Sequence, residues 1–128
     1  LGVRIAEVDM GDVTLLWAPD GALRNPAGSV HGGFISGVLD MAAGLAAASA
    51  REVFTHHLTL EIHVDFLAPV RTGHEHRVVG TVLRTGRSSS LAHAWVYDGR
   101  STLAQARATF VPNRSWAGDR SLGSVPRG

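Results

Sequence analysis

From Phe34 to Ala50 the chain carries one formal charge, Asp40, among residues that are otherwise apolar or small. Burying even a neutral polar group without a partner costs roughly 2–7 kcal/mol, and an unpaired charge costs more. A carboxylate in such a stretch either reaches water or a loop at the helix edge, or it serves chemistry as a general base or nucleophile. Ahead of it runs Asn25-Pro26-Ala27-Gly28-Ser29-Val30-His31-Gly32-Gly33. Pro26 pushes Asn25 towards an extended backbone. The glycine pair stands where a helix begins, and the first amides of a helix have no intrahelical partner and carry a partial positive charge. Glycines there let a carbonyl oxygen approach the backbone, as an oxyanion site requires; they equally permit tight helix–strand packing. Asp40 lies eight residues beyond Gly32, about 12 Å along a helix at 1.5 Å per residue. One carbonyl cannot touch both on the same helix. Two helices lying antiparallel across a two-fold axis bring Gly32 of one to Asp40 of the other, which requires a dimer with two shared sites.

The elements that position these residues follow from periodicity. Leu1 to Val8 and Val13 to Ala18 read as strands joined by the turn at Asp9-Met10-Gly11-Asp12. Ala22 to Val30 is irregular around Pro26 and Gly28. One long helix runs from Gly32 or Gly33 to Ala50; having no polar face, it is expected to be buried all round. Its small residues make it thin, so strands can come close to its backbone. Leu58 to Phe66 alternates cleanly, with Leu58, Leu60, Ile62, Val64 and Phe66 on one face and Thr59, Glu61, His63 and Asp65 on the other. Strands Glu75 to Arg84, Ser88 to Tyr97 and Ser101 to Val111 follow, the last two joined by the hairpin dipeptide Asp98-Gly99. Two strands, one helix and four strands predict an α+β layer with an antiparallel sheet of about six strands curled around the helix. Residues 1–112 form the domain, and 113–128, rich in Gly, Ser, Pro and Arg, are expected to be a surface tail.

Composition narrows the function. The 128 residues hold 45% hydrophobic and 18% charged residues with a formal net charge of +1, which fits one globular domain and gives no basic footprint for nucleic acid. With no cysteine, disulfides, thiolate nucleophiles and cysteine-bound zinc are out. No apolar run is expected to span a membrane. No signal peptide is visible, so a cytoplasmic protein is expected.

The run Asn25-x-x-Gly28-x-x-His31-Gly32-Gly33, with Asp40 seven residues after Gly33, resembles the hotdog-fold acyl-CoA thioesterases, and within them the phenylacetate-pathway group. Leu58 to Pro69 is similar to that family's strand ending in Phe-Leu-x-Pro, and Arg84-Thr85-Gly86-Arg87-Ser88 to its basic strand turn. The resemblance implies a curved sheet around a central helix, hydrolysis of an aryl- or medium-chain acyl-CoA, and a homodimer or dimer of dimers in which the opposite subunit contributes the carboxylate. Asp40 is then general base or nucleophile, and the Gly32 and Gly33 amides polarise the thioester carbonyl. Asn25 orients water or carbonyl, or holds an Asx turn. Thr59 holds the attacking water, or is an ordinary strand residue. His31 fixes the loop by hydrogen bonding across the turn, beside the substrate. Arg84, Gly86, Arg87 and Ser88 meet the phosphates of coenzyme A, or form a solvated turn. No cofactor or metal is required, since coenzyme A is part of the substrate. The family lacks neither alternative functions nor this chain its oddities: a non-catalytic acyl-CoA-binding module shares the fold, and His56-His57 opens the central strand unusually. A second class, a metal enzyme, is suggested by His74-x-His76, whose rings share one strand face; its further ligands cannot be placed from sequence.

Overall fold

The computed structural model describes residues 2–113. From 114 onward the tail expected over 113–128 lies outside them. Strands β1 (Val3–Asp9) and β2 (Asp12–Trp17) form a hairpin, a single 3-10 turn covers Gly21–Leu23, and helix α1 spans Gly32–Ser49. Strands β3 (His57–Phe66), β4 (His76–Thr85), β5 (Ser90–Asp98) and β6 (Ser101–Pro112) complete the chain. They form one six-stranded sheet in the order β1-β2-β4-β5-β6-β3, every neighbouring pair antiparallel. All six strands contact α1, so the sheet curves around the helix.

The core lies between them. Leu39, Ala42, Ala43, Ala46 and Ala47 of the helix meet Leu15, Trp17, Val78, Ala92, Ala94, Val96 and Phe110 of the sheet, all essentially without exposure. The thin helix does admit a strand: a Cβ at Gly80 would stand 2.3 Å from the Ala42 carbonyl oxygen. Only glycine on β4 allows that approach.

The expectation of a helix buried all round needs correction. One face packs on the sheet, while Gly33, Phe34, Gly37 and Met41 are exposed and Asp40, Gly44 and Leu45 half-buried. The helix is also 18 residues long with mean hydropathy 1.3, so an apolar run of membrane-spanning length does exist; its inner face is spent on the sheet.

The alternation read for β3 is also corrected. Its pairing with β6 shifts between Thr59 and Glu61. Such a bulge inverts the parity of the side chains on either side of it. Ile62 and Val64 face the helix as expected, but so do His57 and Thr59, whereas Leu58 and Leu60 are 47% and 67% exposed. β3 is an edge strand, and β1, at the other edge, is largely exposed.

Candidate active site

The bulge places Thr59 over the helix. Its hydroxyl donates to Oδ1 of Asp40 at 2.7 Å. Both line a cavity of about 280 Å³, together with Met41, Leu45, Phe54 and Phe110. The carboxylate is half-buried and sits at the wall of an apolar chamber, with one oxygen oriented by a neutral donor and the other not engaged by Thr59. That is the arrangement a positioned base needs: a fixed carboxylate beside space for an acyl group.

His56 and His57 border the same cavity. His57 is buried and held on both ring nitrogens. Its Nδ1 lies 2.6 Å from the Thr55 carbonyl and its Nε2 3.4 Å from Nε of Arg51. Since guanidinium only donates and carbonyl only accepts, Nδ1 carries the proton. Arg51 also donates to Ser90 Oγ at 3.0 Å. This chain ties the end of the helix to β3 and β5. Sequence reasoning singled out neither Arg51 nor the lining by Phe54 and Phe110; the inward parity of Phe110 was the available signal for the last.

The other predicted residues assemble elsewhere. Phe34 N–H bonds the His31 carbonyl at 3.0 Å and Ile35 N–H at 3.2 Å. Gly32 and Gly33, the first helical residues, thus keep their amides outside the helical ladder. Gly32 borders a second cavity of about 290 Å³ with Ser29, Phe66 and Val70. A Cβ at Gly32 would stand 3.1 Å from the Phe66 ring, whereas at Gly33 the space is open. Gly32 and Asp40 of one chain therefore serve two separate cavities.

Asn25 is occupied by its own loop. Its Oδ1 accepts from Ala27 N–H at 2.9 Å and Ser29 N–H at 3.2 Å, and its Nδ2 donates to Ser29 Oγ at 3.2 Å. This is the Asx turn, and it holds the segment leading to the glycines. His31 fixes the loop through its backbone, whose N–H bonds the Leu23 carbonyl at 3.0 Å. The expected cross-turn bond from the ring is replaced by an edge contact with Phe34.

Arg84, Arg87 and Ser88 are exposed at the β4–β5 turn, closed by Gly86 N–H to the Ser89 carbonyl at 2.8 Å. Ser90 pairs with Phe110 and Phe110 with Thr59, so this turn stands at the same end of the sheet as the Asp40 cavity.

A larger concavity, about 400 Å³, lies on the opposite sheet face among His63, Asp65, His93, Trp95, Gln105 and Arg107. There a hydrogen bond from Gln105 at 3.2 Å, reinforced by His63 at 3.1 Å, holds the Asp65 carboxyl below the usual range. Burial, with Arg107 second, pushes His93 below its ordinary 6.5. Neither the helix amides nor Asp40 reach this face, so its size does not make it the site.

Residues 27–105 match the thioesterase superfamily. A Pseudomonas aeruginosa protein named as an esterase is 30% identical over 86 residues, 67% of this chain and 64% of that protein, so the chain spans less than two thirds of this relative. The E. coli PaaI protein, from the phenylacetic acid degradation operon, superposes with a TM-score of 0.80 at 21% identity, covering 88% of this chain and 80% of that one. A Streptococcus mutans UA159 protein solved with acetyl-CoA bound superposes with a TM-score of 0.80 at 20% identity, over 87% and 88%. At these identities the two structures establish a shared fold, the hotdog arrangement of one long helix in a curved six-stranded sheet.

Proposed function

Because the chain belongs to the thioesterase superfamily, we propose that it hydrolyses the thioester of an aryl- or medium-chain acyl-CoA to the free acid and coenzyme A. The observation that carries this reading is the Asp40 carboxylate, aligned by Thr59 at 2.7 Å on the wall of an apolar cavity. Phe54, Phe110, Met41 and Leu45 line that cavity and suit an acyl or aryl group. The PaaI protein's operon and the acetyl-CoA bound to the Streptococcus protein fit the same substrate class.

In this mechanism Asp40 takes a proton from water as the water oxygen attacks the carbonyl carbon. The Gly32 amide, with Gly33, stabilises the developing oxyanion. The carbon–sulfur bond then breaks, and the thiolate leaves with the proton that Asp40 returns. Since the two half-sites lie about 12 Å apart on one helix, the amides come from one subunit and Asp40 from another. The position of β3 at the sheet edge and the exposed Phe34, Met41, Leu60 and Phe66 supply an apolar surface for that second copy. A homodimer, paired again as a dimer of dimers, is the proposed assembly. Arg84 and Arg87 are proposed to meet the phosphates of coenzyme A near the cavity. Asn25 acts by shaping the loop that carries the glycines.

A panel of acyl-CoAs assayed for free thiol tests the reading. Wild type should release thiol from aryl or medium-chain members, and Asp40→Asn should not. Binding of acyl-CoA without turnover by the wild type would instead make this a binding module. Single-turnover hydrolysis in ¹⁸O-labelled water tests the nucleophile role of Asp40: label in the protein means that the carboxylate formed a mixed anhydride and that water attacked it on the Asp40 side.

A further inference from the structure

His76 opens β4 on the face that looks towards the helix, beside Trp17 of β2, with which it pairs. It is 1% exposed. Its Nε2 lies 2.8 Å from the Arg71 carbonyl, so Nε2 carries a proton and donates. Its Nδ1 is buried and has no hydrogen-bond partner among the described residues. A buried acceptor left so costs about 1–3 kcal/mol, and native proteins keep few of them.

Two further donors converge on this end of the sheet. The His74 ring lies 4.6 Å from that of His76, centre to centre. Asp98 ends β5 with the inward parity of Ala94 and Val96, and Arg77 pairs with Tyr97, which brings Asp98 alongside His76. One ligand atom from each of His74, His76 and Asp98 lies within 4.8 Å of the other two. His74 lies in a bend ahead of β4 and not on the strand with His76, where the sequence spacing places it, and only the β4–β5 register brings in the carboxylate.

We propose that His74, His76 and Asp98 bind a divalent transition-metal ion, with zinc as the ion the ligand set suits. Two imidazoles and a carboxylate form a nitrogen- and oxygen-rich set of the kind zinc takes, leaving a position for water. A metal-bound histidine almost always donates its other ring N–H to a carbonyl or carboxylate, which fixes the ring. The bond from His76 Nε2 to Arg71 is that contact, already in place, and it leaves Nδ1 as the ligating atom. Ligand atoms that lie within 4.8 Å of one another close around an ion by a small movement of the two exposed groups, His74 and Asp98. The ion acts as a clip. It pins the loop from Arg71 to Glu75 onto the sheet, and Val70, next in that loop, accepts the Val30 N–H at 2.9 Å and lines the Gly32 cavity.

Equilibrium dialysis of the full chain against Zn²⁺, followed by elemental analysis and thermal melting, tests the proposal. His76→Ala would remove a core side chain, so the exposed ligands are the ones to change. Outer-shell partners alone are worth about 10- to 100-fold in metal affinity; His74→Ala and Asp98→Asn are each expected to weaken Zn²⁺ binding at least about tenfold, while remaining folded by circular dichroism. Wild type is expected to retain zinc and melt at a higher temperature with it, and both variants to lose that shift. Wild type that binds no zinc, or variants that bind and respond as wild type does, would overturn the proposal. The other histidines would then account for any retained metal.

Discussion

Asp40 and Thr59 are joined by a hydrogen bond at the centre of the proposed site, and each can be removed separately. General acid–base catalysis contributes about 10²- to 10⁴-fold, so Asp40→Asn, which keeps the shape, is expected to lower kcat at least about 100-fold with the melting temperature little changed. Thr59→Val keeps the volume and deletes the donor. A hydrogen bond to a charged group is worth about 1.5–3 kcal/mol, and kcat should fall about 10-fold or more, with KM moving less. Thiol-release kinetics on both variants check the pair. On the opposite sheet face, His93 makes a different prediction. Its pKa is lowered in the folded state by burial and then by Arg107, so the unfolded chain binds more protons as pH falls through the ordinary 6.5. Stability should therefore decline on acidification through that range. His93→Gln should flatten the fall in melting temperature; an unchanged slope would remove His93 as its cause.

The elements were largely legible, and the exceptions have physical causes. The helix, the six strands and the Asp98-Gly99 hairpin follow from hydrophobic period and turn chemistry. Strand ends differ by a residue or two, as hydrogen bonds rather than side chains decide them. Thr59 is the instructive case. A strict period of two puts it outside with Glu61 and His63, and only the bulge, which comes from pairing with β6, turns it inward to Asp40. Pairing of distant strands is not a local property, so neither Thr59 against Asp40 nor Asp98 beside His76 could be read from spacing. The glycine loop was legible as a motif, but the use of the Asn25 side chain within its own Asx turn depends on loop geometry. Gly80 offers a test of the helix–sheet contact. A Cβ there meets the Ala42 carbonyl at 2.3 Å, and overpacking costs about 1–3 kcal/mol. Gly80→Ala should lower stability by at least that amount in denaturant unfolding, and a neutral result would mean that β4 and the helix can separate.

At the scale of the whole molecule, the proposed site divides into two halves on one chain: amides at the start of the helix and a carboxylate midway along it. The claim that two subunits complete each other can be tested by mixing defective chains. Gly32→Pro removes the proposed amide at the helix's first position, which suits a proline backbone; His31 ahead of it, at φ −58° and ψ 138°, already has the extended backbone a following proline requires, and the exposed Phe66 ring, 3.1 Å from a Cβ there, must shift to admit it. Asp40→Asn removes the carboxylate. Each variant alone should be nearly inactive. When the two are co-refolded, a mixed dimer contains one site with both defects and one with neither. Thiol release from an acyl-CoA turned over by wild type should then reappear as mixed dimers form. Mixed dimers, verified by mass, that remain as inactive as either parent would contradict a site shared between subunits.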